Sequence, residues 1–143
     1  MISYDTNILF YSLDPSSKWH AAATQFLSHS LENDRVAICD YVLLELYNLL
    51  RNPTVMQKPI PAAKAVDIVT RYLKFPAVIR AENAPIMDEV WQIAAQPNIA
   101  RRRVFDLRLG LTLRHHGVTR FATANTKDFN GLGFEQVWNP LIG

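Results

Sequence analysis

The sequence predicts an α/β fold, with a central, mostly parallel sheet of four to five strands and helices on both faces. Three observations lead there. Short apolar runs bounded by turn residues alternate with longer segments whose apolar residues recur at helical spacing, the pattern of parallel strands joined by helical crossovers. About half of the 143 residues (49%) are hydrophobic, enough for one real core. No internal repeat, low-complexity tract or long linker divides the chain, so residues 1–143 read as one layered unit.

The elements follow in order. Residues 1–5 (MISYD) read as a first strand that stops on Asp5, and Thr6 and Asn7 then begin either a turn or the wall of a site. Residues 15–33 carry Trp19, Ala22, Ala23, Phe26 and Leu27 at helical spacing behind a Pro-Ser start, which predicts an amphipathic helix. Residues 35–39 (RVAIC) predict a second strand, and residues 40–52 a strongly apolar helix stopped by Pro53. Breakers fill the loop 52–61, residues 62–74 are helical again, and residues 77–81 (AVIRA) are a third strand candidate. Pro85 suits the first turn of a helix over 85–96. A further helix is predicted over 106–116, closed by Gly117 in the left-handed conformation. Residues 119–125 (TRFATAN) and 135–139 (EQVWN) supply strands four and five.

Composition narrows the function classes. No apolar run approaches the roughly 20 residues that cross a bilayer, and the start lacks the pattern of a signal peptide, so a cytoplasmic protein with no membrane partner is expected. The single cysteine, Cys39, sits in an apolar run and reads as a buried structural thiol. Net charge is only +2, yet six arginines and one acid, Asp106, lie between Arg101 and Arg120. Such a segment is either a solvated helix face or a surface for phosphates, with Arg101, Arg102, Arg103 and Arg108 as the candidate nucleic-acid contacts.

The acids carry the chemistry. In open parallel sheets the ligand crevice lies beyond the carboxyl ends of the strands, where Asp5 falls. Glu45 is the one charge in YVLLELYNLL, with Val42 and Leu49 on its own face and no basic residue before Arg51. A lone buried carboxylate costs several kcal/mol unless paired or bound to metal, so the pattern suggests a buried functional acid. Asp106 opens a predicted helix, where an N-cap is its ordinary role, and Gly110 one turn on would clear space beside it. Thr123, Asn125 and Asp128 follow the fourth strand, as turn formers or as site residues. Carboxylates gathered in one crevice repel each other unless a cation neutralises them, and an all-oxygen set suits Mg²⁺ or Mn²⁺. Nothing brings His20, His29, His115 and His116 together, and none is assigned to catalysis.

DTN after the first strand, the glutamate of LLEL, the aspartate of FDLRLGLTLRHHGV, and TANTKDF with NP near the end resemble a PIN domain. More narrowly, they resemble a VapC-type ribonuclease toxin of a toxin–antitoxin pair. The likeness runs end to end, though residues 53–100 match only in element order. It implies a three-layer α/β/α fold and metal-dependent endonucleolytic cleavage of single-stranded or loop RNA. It further implies a homodimer, and a small antitoxin whose tail enters the groove. Asp5, Glu45 and Asp106 match the family's metal-binding acids, with Asp106 also placed to orient the attacking water. Thr6, Asn7 and Thr123 match polar positions lining the site. Where the family often has a fourth aspartate this chain has Asn125, and Asp128 is the candidate to supply the charge instead. Two other readings remain open at this point: an inactive PIN-like interaction protein, and a phosphoacceptor receiver domain using Thr123 and Lys127.

Overall fold

The structure, a computed structural model, describes residues 1–142. In chain order it runs β1 (Ile2–Tyr4), α1 (Thr6–Leu13), α2 (His20–Asn33), β2 (Val36–Cys39), α3 (Asp40–Leu50), α4 (Ala62–Arg71), β3 (Val78–Ala81), α5 (Met87–Ala94), α6 (Arg103–His115), β4 (Arg120–Ala122) and β5 (Gln136–Trp138). Short 3₁₀ turns occupy Tyr72–Lys74 and Thr126–Asp128.

All five strands pair in parallel in the order β3-β2-β1-β4-β5. Every residue of β1 and β2 is buried, as strands covered on both faces must be, whereas the edge strands β3 and β5 carry exposed residues. The chain lays strands outward from β1 to β3, then returns to the other side of β1 for β4 and β5. The order therefore reverses between β1 and β4, which puts the crevice at their carboxyl ends. A receiver-type doubly wound sheet has the order 2-1-3-4-5, so the topology removes that reading.

The helices cover the sheet by burying the faces their sequences mark. On α3, Val42, Leu43, Leu46 and Leu50 turn inward, and α1 packs against α2 and α3. Ile86, Val90, Leu107 and Leu111 form a second apolar cluster that joins α5 to α6. At the end of α6, Gly117 (φ +87°) donates its N–H to Arg114 and Val118 donates to Leu113, each at 3.0 Å. These two bonds satisfy carbonyls the last turn would leave open, and the positive φ accounts for the glycine. Cys39 is buried and free, as expected. Among the described residues no helix is long and apolar enough to cross a membrane.

Four local expectations are corrected. Thr6–Leu13 is a helix, α1, where the sequence left a turn or the wall of a site open after Asp5 and assigned no helix. Residues 15–19 are not helical, because Asp14 and Ser17 side chains bind the backbone N–H groups of Ser16 and Trp19 in local turns. The last long helix begins at Arg103, inside the basic run, so Asp106 sits in its first turn and is not an N-cap. Gly110 does not clear space beside Asp106. A Cβ there would lie 2.5 Å from Leu132 Cδ1, so the glycine lets the loop after β4 close onto α6.

Candidate active site

Asp5 is set by both strands that flank the crossover. Its backbone N–H donates to the Ala122 carbonyl at 2.9 Å, which ties the end of β1 to the end of β4. As N-cap of α1, its Oδ1 accepts the Thr6 N–H at 2.8 Å. The Thr123 hydroxyl donates to Oδ2 at 2.7 Å, and the Asn7 amide reaches the same oxygen at 3.5 Å. Asn7 Oδ1 in turn accepts the Ala124 N–H at 3.2 Å, and Thr123 Oγ1 accepts the Asn125 N–H at 3.0 Å. The two loops are thereby stitched together around one carboxylate.

Burial dominates the electrostatics of that carboxylate. Only 7% of Asp5 is exposed, and desolvation pushes its pKa from 3.8 up to about 6. The bonds from Thr123 and Thr6 oppose this, while the charges of Glu45 and Asp106 add to it. Asp106 is half-buried, and its pKa is raised first by desolvation and then by the charge of Asp128, against the pull of Arg103. That mutual influence brings Asp128, in the 3₁₀ turn after β4, into the same electrostatic field.

Glu45 departs from expectation. It is exposed, so its isolation on α3 does not reflect a buried charge. The helix turns it toward the crevice, where the Thr6 hydroxyl donates to its Oε2 at 3.1 Å. Asp5, Thr6, Asn7 and Glu45 line one groove of about 1080 Å³ with Asp106, Asn125 and Asp128 facing them. Thr123 is fully buried and supports Asp5 from beneath the groove. Of the arginines, Arg102 and Arg108 line the groove, whereas Arg101 and Arg103 do not. No histidine lines it.

Sequence reasoning missed the aromatic wall of this groove. Tyr41 lies one helical turn before Glu45, and Phe105 directly precedes Asp106. The guanidinium of Arg108 stands 4.1 Å from the Tyr41 ring centroid and 5.6 Å from that of Phe105. The available signal was spacing: four residues on α3, and three between Phe105 and Arg108 on α6.

The groove is rich in charges that do not neutralise one another. The ion pairs among the described residues, Asp67–Arg71 and Asp40–Arg80, lie outside it. Also among the described residues, no three acidic, histidine or cysteine side chains are drawn together closely enough to cage an ion. The donor chemistry nonetheless fits a hard cation, because every candidate ligand is an oxygen and the buried Asp5 carboxylate forms no ion pair. Mg²⁺ asks for no cage. It is commonly held by one or two carboxylates, with waters and substrate phosphate completing the shell.

Comparison with known proteins identifies the family. The profile of the PIN domain matches residues 2–135. The chain belongs to the PIN domain family. It is 48% identical to "Ribonuclease VapC24" of Mycobacterium tuberculosis over 141 residues, which covers 99% of this chain and 97% of that protein. Solved structures share the PIN fold at low identity. The Mycobacterium tuberculosis toxin VapC20, described as cleaving the sarcin-ricin loop, has a TM-score of 0.64 at 16% identity, with 94% of this chain and 96% of that one covered. FitAcB from Neisseria gonorrhoeae has a TM-score of 0.63 at 19% identity, with both chains covered in full (100%). PIN-domain ribonucleases generally depend on a divalent metal, and the acidic groove of this PIN domain is consistent with that.

Proposed function

We propose that this PIN domain protein is an endoribonuclease that hydrolyses RNA phosphodiester bonds with Mg²⁺ or Mn²⁺, as the toxin of a type II toxin–antitoxin pair. The observation that carries the reading is the meeting of Asp5, Glu45, Asp106 and Asp128 on one groove at the β1/β4 switch point, beside arginines that no groove acid pairs. Near-full-length likeness to a ribonuclease supports it.

Asp5, Glu45, Asp106 and Asp128 are the candidate ligands, one or two of which would bind the ion directly and the others through its waters, with Asn125 as the alternative to Asp128. A bound ion would polarise the scissile phosphate and lower the pKa of an attacking water. Thr123 and Thr6 hold the Asp5 carboxylate in one orientation, and the Thr6 hydroxyl steadies Glu45. Asp106, on the groove wall, would orient the attacking water and take its proton as the new oxygen–phosphorus bond forms and the bond to the leaving oxygen breaks, the leaving oxygen taking a proton from solvent. Arg102 is positioned on the groove to bind a neighbouring phosphate. The partners in this reading are RNA, a second copy of the chain and a small antitoxin, all in the cytoplasm.

The test is cleavage of RNA by the purified protein. Activity is expected with Mg²⁺ or Mn²⁺ and is expected to vanish in EDTA and return on adding metal back. Activity that persists in chelator would sink the mechanism. The uncaged arrangement of acids and the amide at Asn125 favour one rival, an inactive interaction protein, and absence of cleavage at any metal concentration would select it.

A further inference from the structure

We infer that Tyr41, Phe105 and Arg108 form a nucleobase-stacking subsite on the wall of the groove. This rests on the ribonuclease reading and names the side chains that would hold one base of the substrate. Phe105 leaves 55% of its surface exposed, although its neighbours on α6, Leu107 and Leu109, are buried. Its ring lies on the wall of a polar, acid-lined groove, where it contributes nothing to the core clusters. Arg108 stands over Tyr41 and beside Phe105, and its Nε is buried without a hydrogen-bond partner. The guanidinium is therefore held by ring faces and not by a carboxylate, and the exposed ring of Phe105 beside it offers a face on which a base can stack.

Position links the platform to the chemistry. Phe105 adjoins Asp106, and Tyr41 precedes Glu45 by one turn, so the aromatic wall continues the acidic groove on both helices. A nucleotide with its phosphate at the acids presents its base to this wall. Aromatic rings and arginine planes bind single strands by stacking on any base, whereas a duplex keeps its bases stacked on each other.

The experiment measures binding of the full chain, in Ca²⁺, to short mixed-sequence oligoribonucleotides, with and without an abasic site placed at each position in turn. Phe105→Ala is expected to weaken single-strand binding roughly 5- to 150-fold. Phe105→Leu, which keeps apolar bulk without a π face, is expected to lose as much, and Phe105→Trp to retain affinity. At one position the abasic substitution should cost the wild type what Phe105→Ala costs, and should cost the variant nothing further. Losses that add at every position, or a Phe105→Leu protein that binds as the wild type does, would overturn the stacking subsite while leaving the ribonuclease reading intact. A wild type that binds no RNA overturns both.

Discussion

At the strand end of the groove, Asp5 is buried and accepts hydrogen bonds from Thr6, Asn7 and Thr123, whereas Glu45 on the helical wall has one hydroxyl partner. Asp106 and Asp128 have no side-chain hydrogen bond among the described residues. One side is organised by the fold before any ligand arrives. The other is left open, the carboxylates of Asp106 and Asp128 lacking hydrogen-bond partners until a ligand supplies them. Changes at the strand end should therefore alter stability and its pH dependence along with activity, and changes on the wall should alter ligand binding with little effect on the fold.

The largest expected effect is from Asp5→Asn. Loss of a partner outside the metal's own ligands typically costs about 10- to 100-fold, and Asp5 is the acid those partners serve, so cleavage should fall by more than about a hundredfold. The metal-free variant should nonetheless melt higher than wild type at pH 7, because it lacks a carboxylate that burial penalises. A lower melting temperature would show that the hydrogen bonds outweigh desolvation and would break the comparison.

The pH dependence of the metal-free protein follows from the same group. Its folded pKa, about 6, lies above its ordinary 3.8, so the folded state keeps a proton that the unfolded chain has released. This contribution to stability is full below about pH 4 and is lost as pH rises through about 6, on the order of 3 kcal/mol in total. Chemical denaturation across that interval should show the fall in wild type and a flatter profile in Asp5→Asn. Equal slopes would place the titration elsewhere.

Thr123→Val should reduce metal affinity or cleavage about 10- to 100-fold, since it removes a donor that orients Asp5. Calorimetric metal titration would check this, and unchanged affinity would mean that the Thr6 N–H alone suffices to orient the carboxylate. On the open wall the effects should be smaller. Asp128→Asn should weaken metal binding with little change in melting temperature, because Asp128 is exposed, and should lower the pKa of Asp106 by removing a neighbouring charge. The acid limb of the cleavage profile would move to lower pH. If Asn125→Asp tightens metal binding and Asp128→Asn leaves it unchanged, the fourth ligand is at Asn125.

Much of this protein was legible without coordinates, for identifiable reasons. Alternating apolar runs placed all five strands, because a strand buried on both faces has few alternatives to a short run such as VAIC. The loop acids Asp5 and Asp128 were visible because strand ends in parallel sheets lead into the crevice. Helix α1 was overlooked although Asp5 is a good N-cap and Ile8 and Leu9 follow at helical spacing, since eight residues carry too little periodicity to outweigh a turn reading.

What only the tertiary structure decided is which side of each residue faces water. The pattern around Glu45 suggested a buried acid, but α3 meets the groove along that edge, so an apolar neighbourhood in sequence became an exposed position in space. Gly110 followed the same rule, its missing side chain being filled by Leu132, which lies far along the chain. Tyr41, Phe105 and Arg108 drew no notice as a group because two helices had to be laid side by side before their rings and charge could meet. Local sequence carries backbone preference and periodicity, and these determined the elements and the acids. Exposure and cross-helix contact depend on how the elements pack, and packing is settled only when distant parts of the chain compete for the same core.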